Sequence, residues 1–150
     1  TRLEAVTAED IAAAAERIGR QVIGNRPVDL EVRREPSLPA LYVDRLQIEL
    51  VLRNLLANAV EALHGGVGRV SVALGRHGAA RLRVVIADSG PGLAPDALAR
   101  IFEPFVSGKS SGMGLGLAIS RAIVEAHEGT LVALPGEHGE FRLELPCVPA

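Results

Sequence analysis

The chain has 150 residues, of which 48% are hydrophobic, 23% charged and only 3% aromatic, so we expect one domain with an aliphatic core. Its formal net charge of −2 argues against a nucleic-acid-binding surface, which is normally basic. We see neither a signal peptide nor an apolar run of the roughly 20 residues that a membrane helix needs, and the lone Cys147 permits no internal disulfide. We therefore expect a cytoplasmic protein, and the start at Thr1 suggests a fragment of a longer one.

The spacing of apolar residues and chain breakers predicts helices and strands in an irregular order. In chain order these are a helix over 7–24, strands over 29–33 and 41–43, a helix over 44–64, strands over 69–76 and 80–87, a helix over 115–127, and strands over 130–134 and 140–145. Thr7 and Asp44 are the expected N-caps of the first two helices. This order favours an α+β fold, a two-layer sandwich with helices on one face of a mixed, mostly antiparallel sheet.

Three polar residues share one stripe of the long second helix. Asn54 and Asn58 are four residues apart, and Glu61 follows three residues later. Such a stripe is often only the solvated face of a helix. However, asparagine is a poor helix former, and residues 50–60 are too apolar for an ordinary surface helix. The stripe is therefore either a solvated face or part of a functional site.

Two glycine-containing segments are candidates for close contact with a ligand. Asp88, Gly90 and Gly92 follow an apolar strand, where a carboxylate stands beside backbone that a ligand can approach, although these residues also suit a plain turn. Gly112, Gly114 and Gly116 lead into the third helix, whose N-terminus can bind phosphate, although they also suit a flexible loop.

Two common phosphate-binding motifs are excluded by single positions. A Rossmann fingerprint that starts at Gly112 requires Gly or Ala where the chain has Leu117. A Walker A loop that ends at Ser110 requires Gly where the chain has Glu103.

Four motifs in this order resemble those of the ATPase superfamily shared by histidine kinases, type II topoisomerases, MutL and the ninety-kilodalton heat-shock chaperone. Residues 54–62 (NLLANAVEA) resemble the asparagine box of histidine kinases, and 88–92 (DSGPG) the first glycine box. Residues 102–105 (FEPF) resemble the phenylalanine box, and 112–116 (GMGLG) the second glycine box. The likeness spans residues 1–150 and implies a single catalytic domain with the Bergerat-type ATP-binding fold.

The resemblance also implies roles for individual residues. ATP and Mg²⁺ are the expected cofactors, with Asn58 as the metal ligand, Asp88 as the acceptor for the adenine amine, and Lys109 as a γ-phosphate contact. The implied cofactor-binding residues are Asn58, Glu61, Asp88, Gly90, Gly92, Leu93, Lys109, Gly112, Met113, Gly114, Leu115, Gly116 and Leu117. The implied catalytic residues are Asn54, Asn58 and Lys109.

Two positions separate this chain from other members of the superfamily. Glu61 stands where many histidine kinases have Lys, which resembles the nitrogen-regulation and oxygen-sensing branch; it is a candidate for holding a Mg²⁺-bound water. Asn54 stands at the position where the related hydrolases and serine kinases look as though they carry a Glu that acts as the base. An amide cannot act as that base. The chain is thus expected to be the catalytic domain of a histidine kinase whose base lies elsewhere.

The substrate histidine is expected on a separate dimerisation and phosphotransfer domain of the same parent protein. None of the chain's own histidines is followed by the acidic residue and arginine of a phosphoacceptor box, so we expect surface histidines and no autophosphorylation; they are His64, His77, His127 and His138. A response regulator would act downstream. The alternatives are a nucleotide-binding interaction module without turnover, and a related ATPase or serine kinase.

Overall fold

The computed structural model describes residues 1–104 and 115–148. Its strands are β1 (Leu3–Val6), β2 (Val28–Arg34), β3 (Leu41–Asp44), β4 (Gly68–His77), β5 (Arg81–Asp88), β6 (Thr130–Ala133) and β7 (Glu140–Pro146). Its helices are α1 (Ala8–Ile23), α2 (Arg45–Glu61), the short α3 (Pro95–Ala99) and α4 (Gly116–Ala126). No helix in these described ranges is long and apolar enough to cross a membrane.

Five strands form the main sheet, in the order β2-β4-β5-β7-β6. β2 and β4 are parallel, and the other neighbouring pairs are antiparallel. The register places Val70 of β4 opposite Asp88 of β5, so Asp88 lies at the end of the sheet where β4 begins. The fold class predicted from the sequence is confirmed.

Alternation along the strands separates a buried face of the sheet from a solvated one. The buried side chains of β5 are Leu82, Val84 and Ile86, and α1, α2 and α4 pack on the same side. On the opposite face, Arg83 of β5 forms an ion pair with Glu144 of β7 at 2.7 Å. This pattern of one packed and one solvated face is typical of an antiparallel sheet covered by helices on one side.

The long helix α2 lies at the centre of the helical layer, in contact with both α1 and α4. The side chains on one face of α2 are fully buried, and they include Val51, Leu52, Leu55 and Leu56. Burial of a leucine side chain stabilises a fold by about 1.5–3 kcal/mol, so this row fixes how α2 is rotated against the sheet. The rotation determines where the polar stripe of α2 points.

Both predicted N-caps are present. The Thr7 hydroxyl accepts from the Asp10 backbone N–H at 3.0 Å, and the Asp10 carboxylate accepts from the Thr7 backbone N–H at 3.1 Å. The Asp44 carboxylate accepts from the Gln47 backbone N–H at 3.1 Å. Each bond pairs an N–H that has no partner within the first helical turn.

Two elements were missed by the sequence analysis. β1 pairs with β3 in a separate two-stranded sheet, and most of its residues are exposed, so it has no alternating apolar pattern. α3 has only five residues, none of them buried, and begins at Pro95.

The helix α2 ends at Glu61, three residues before the predicted end at His64. The φ of 52° at His64 is not helical.

Candidate nucleotide-binding site

The polar stripe of α2 faces the start of α4. The Asn54 side-chain amide donates to the Gly116 carbonyl oxygen at 3.1 Å and to the Ser120 hydroxyl oxygen at 3.0 Å. Ser120 is fully buried, and Asn54 is half-buried. The Asn54 amide group therefore holds the N-terminal part of α4 against α2. The predicted catalytic role of Asn54 stays a prediction, and the contacts add a positioning role.

Asn58 and Glu61 lie one and two turns further along α2, and both are half-buried. Amide and carboxylate oxygens are hard ligands of the kind that Mg²⁺ prefers. Asn58 therefore fits the predicted metal-binding role in its chemistry and in its partial exposure, and Glu61 stands on the same side of the helix. Among the described residues, no group of three or more His, Cys, Asp or Glu side chains gathers to form a metal site.

Asp88 ends β5, is buried, and begins a tightly connected loop of residues 88–92, the Asp88 loop. Its carboxylate oxygen Oδ1 accepts from the Gly90 backbone N–H at 2.9 Å. On the β4 side, the Ser89 backbone N–H donates to the Arg69 carbonyl oxygen at 3.0 Å, and the Ser89 hydroxyl accepts from the Arg69 N–H at 2.8 Å. The loop is therefore an extension of the sheet, fixed more firmly than a surface turn.

Burial raises the pKa of the Asp88 carboxyl above its usual range. Backbone N–H groups of Gly90 and Gly139 and the nearby His138 act in the opposite direction and offset part of the rise. The Asp88 carboxylate has lost part of its contact with water, and backbone N–H groups replace only some of it. It is therefore well suited to accept a further hydrogen bond from a ligand amine.

Gly90 lies against the end of α2. A Cβ added to Gly90 would stand 2.7 Å from the Ala62 carbonyl oxygen, so a side chain at this position would push the loop away from the helix. Asn54 and Ala62 are eight residues apart, about 12 Å along a helix axis. α2 thus contacts α4 near Asn54 and the Asp88 loop at its C-terminal end, with Asn58 and Glu61 between these contacts. The structure thus brings the asparagine box together with the first glycine box and with Gly116, the last residue of the second glycine box.

The apolar residues predicted for the site have different environments. Leu93 is 45% exposed just after the Asp88 loop, as a wall of an open site would be. Leu115 and Gly116 are half-buried at the start of α4, but Leu117 is buried within the hydrophobic core. Leu117 therefore packs the helix onto the sheet, and its predicted contact with the base stays a prediction.

The phenylalanine box is attached to the core by its first residue. The rings of Phe102 and Phe141 meet edge to face with centroids 6.1 Å apart, and the Arg121 guanidinium lies 5.1 Å from the Phe102 ring centroid. These contacts fix the chain where it leaves the site after α3. The predicted site residues outside the described ranges are Lys109, Gly112, Met113 and Gly114, together with Phe105 of the phenylalanine box.

The sequence analysis missed the β6–β7 loop (residues 134–139). The Asp88 backbone N–H donates to the Gly139 carbonyl oxygen at 3.0 Å, and the Gly92 N–H donates to the Glu137 carbonyl oxygen at 3.0 Å. The available signal was the pair of glycines at 136 and 139, between the strands predicted over 130–134 and 140–145. Ser120 was also missed, because a serine in a helix gives no signal of its own.

Comparison with known proteins agrees with this geometry. Residues 43–149 match the family described as histidine kinase-, DNA gyrase B-, and HSP90-like ATPase. The chain belongs to this family. Its similarity to curated proteins and solved structures is more specific, because these include a sensory histidine kinase and the catalytic domain of another histidine kinase.

Among curated relatives, the chain is 39% identical to the C4-dicarboxylate transport sensor protein DctS of Rhodobacter capsulatus, over 97% of this chain and 23% of that protein. It is 38% identical to the sensory histidine kinase/phosphatase NtrB of Escherichia coli O157:H7, over 92% of this chain and 43% of that protein. The chain therefore spans less than half the length of these relatives.

Among solved structures, the catalytic domain of the histidine kinase ThkA superposes with a TM-score of 0.86 at 26% identity, covering 98% of this chain and 97% of that one. Full-length ShkA in complex with AMPPNP superposes with a TM-score of 0.82 at 30% identity, covering all of this chain and 32% of that one.

Proposed function

We propose that this chain binds Mg²⁺-ATP and donates the γ-phosphate to a histidine on a separate dimerisation domain of a sensor kinase. The observation that carries the proposal is that α2 contacts both the start of α4 and the Asp88 loop, with Asn58 and Glu61 between these contacts. The buried Asp88 carboxylate supplies an acceptor for the adenine amine. The known complex of the relative ShkA with AMPPNP supports a nucleotide at this site.

Other residues of the chain would bind the metal ion and the phosphates. Asn58 would hold Mg²⁺ through its amide oxygen, and the ion would neutralise charge on the phosphates. Glu61 is proposed to hold a water on that ion, and Lys109 to contact the γ-phosphate. Gly112, Gly114 and Gly116 are proposed to surround the phosphates with backbone N–H groups.

The transfer itself is an in-line displacement at the γ-phosphorus. A bond forms between this phosphorus and an imidazole nitrogen of the partner domain, and the bond to the oxygen that bridges the β- and γ-phosphates breaks, so that ADP leaves. The imidazole proton passes to a base on the partner domain, because Asn54 cannot accept it. We further propose a cytoplasmic location and a response regulator that receives the phosphate.

The test combines this chain with a separately produced dimerisation domain and ATP labelled at the γ-phosphate. We expect no label on the chain alone and acid-labile label on the partner domain. Labelling of the chain alone would contradict the proposal. ATP binding without transfer to several such domains would instead favour an interaction module, and steady phosphate release by the chain alone would favour a hydrolase.

Two matched aspartate variants distinguish the loss of a specific hydrogen bond to adenine from the loss of one negative charge. Asp88→Asn should weaken ATP binding about 10- to 100-fold, because a hydrogen bond to a charged group contributes about 1.5–3 kcal/mol. Asp29→Asn, on an exposed position of β2, should leave ATP affinity unchanged. Calorimetric titration measures both. Equal affinities for the two variants would contradict the assignment of Asp88.

A further inference from the structure

We propose that the β6–β7 loop fixes the Asp88 loop in the geometry that recognises adenine, and that His138 is the positioning residue of this contact. His138 Nδ1 lies 2.9 Å from the Gly90 carbonyl oxygen, across 48 residues of sequence. The inference rests on the proposed function, because it assigns a role in nucleotide selectivity. It also changes the expectation that His138 is an ordinary surface residue.

Backbone contacts between the two loops surround Gly90. Asp88 N–H and Gly92 N–H both donate to carbonyl oxygens of the β6–β7 loop, at 3.0 Å each. The Gly139 backbone N–H opposes the effect of burial on the pKa of the Asp88 carboxyl. Asp88 and Gly92 are thus fixed by backbone, and Gly90 between them is fixed by the side chain of His138.

The two loops also approach too closely for side chains at two glycines. A Cβ on Gly92 would collide with the Gly136 carbonyl oxygen, and a Cβ on Gly139 would collide with Asp88 Oδ2. Gly92 is therefore in direct contact with the backbone of the β6–β7 loop, and Gly139 with the Asp88 carboxylate. This packing makes the position of the Asp88 loop dependent on the β6–β7 loop.

The hydrogen bond assigns His138 a chemical role. A carbonyl oxygen only accepts, so Nδ1 of His138 must carry a proton and donate. Gly90 in turn donates its N–H to Asp88 Oδ1, so His138 holds the residue that orients the carboxylate. His138 is exposed, and this bond joins its ring to the Asp88 loop. We expect its loss to act on base recognition more than on folding.

The test compares three variants of the whole chain in titrations with Mg²⁺-ADP and Mg²⁺-GDP. His138→Leu removes the donor and should weaken ADP binding about 3- to 10-fold, with a smaller effect on GDP, so base selectivity falls. His138→Asn places an amide N–H near the position of Nδ1 and should restore most of the affinity. The control His77→Asn lies at the other end of β4, about 23 Å along the strand from Asp88.

Hydrogen exchange of the Gly92 amide supplies a second measurement that does not need a nucleotide. We expect faster exchange in His138→Leu and near wild-type exchange in His138→Asn. Failure of the wild-type chain to bind ADP would contradict the proposed function, and the exchange rates would still decide the role of His138. The inference would be overturned if His138→Leu kept both the ADP-over-GDP selectivity and the Gly92 exchange rate of the wild type.

Discussion

At the scale of single residues, Asn54 shows how an amide makes contacts that a carboxylate could not make. Its NH₂ group donates to Gly116 and Ser120 of α4. A carboxylate has no proton to donate to the Gly116 carbonyl oxygen. The absence of a base at position 54 and the anchoring of α4 are therefore two consequences of the same residue.

The Asn54 contact can be measured with a double-mutant cycle. Asn54→Ala should lower the free energy of unfolding by about 1–3 kcal/mol, because it leaves a buried hydroxyl and a carbonyl without this donor. Ser120→Ala should cost less, because Asn54 keeps its bond to Gly116. We expect a coupling energy of about 0.5–1.5 kcal/mol from urea unfolding of the four proteins. Strict additivity would contradict a direct bond.

At the scale of elements, Asp44 joins three parts of the chain at the start of α2. Its carboxylate accepts from the Arg2 N–H at 2.9 Å and from the Gln47 N–H at 3.1 Å. Its own N–H donates to His127 Nε2 at 3.2 Å, and His127 Nδ1 lies 2.8 Å from the Ile123 carbonyl oxygen. One residue therefore connects β1, α2 and the end of α4.

These contacts make Asp44 sensitive to pH. The backbone N–H groups of Arg2 and then Gln47 lower the pKa of Asp44 below its usual value of 3.8. A carboxyl with a lowered pKa in the folded protein contributes stability above its unfolded pKa and loses it as pH falls toward the folded one.

Asp44→Asn should therefore unfold at lower urea concentration than the wild type at pH 6. The difference should shrink as the pH falls below 3.8. Asp29→Asn controls for the loss of one negative charge. A gap between Asp44→Asn and the wild type that stays constant from pH 6 to the acid limit would show that the carboxylate bonds do not cause it.

Local chemistry explains which elements could be predicted from the sequence. The two helix caps could be predicted because each cap bond spans only three residues, from Thr7 to Asp10 and from Asp44 to Gln47. β1 and His127 gave no such signal: β1 exists because it pairs with β3, and His127 is half-buried because it meets Asp44, 83 residues away. Contacts of this range are created by the fold and leave no local pattern in the sequence.

The candidate site divides in the same way. Asp88, Asn58 and the glycines follow from motifs, because their residue types carry the chemistry. The partners that hold these motifs in place, Ser120 and His138, are ordinary residues whose role depends on tertiary contact. The sequence therefore provides candidates for the residues that meet the ligand, whereas the residues that position them are identified only from the fold.

At the scale of the whole molecule, the site is assembled from segments that are distant in sequence. Asn54 bonds to α4 across 62 and 66 residues, and His138 reaches Gly90 across 48. The Asp88 loop is bonded on one side to β4 and on the other to the β6–β7 loop. The site therefore forms only when both the sheet and the helical layer have formed.

This assembly predicts that nucleotide binding stabilises the entire chain. A ligand at 100 times its Kd that binds only the folded state adds about 2.7 kcal/mol to the free energy of unfolding. For a chain of this size, that corresponds to a rise in Tm of roughly 5–11 °C. Calorimetry with Mg²⁺-ADP should show the rise, and hydrogen exchange should slow in the core of β5 as well as in the loops. Asp88→Asn at the same ADP concentration should show a much smaller rise. Slower exchange confined to the Asp88 loop, with Tm unchanged, would mean that the loops fold independently of the sheet.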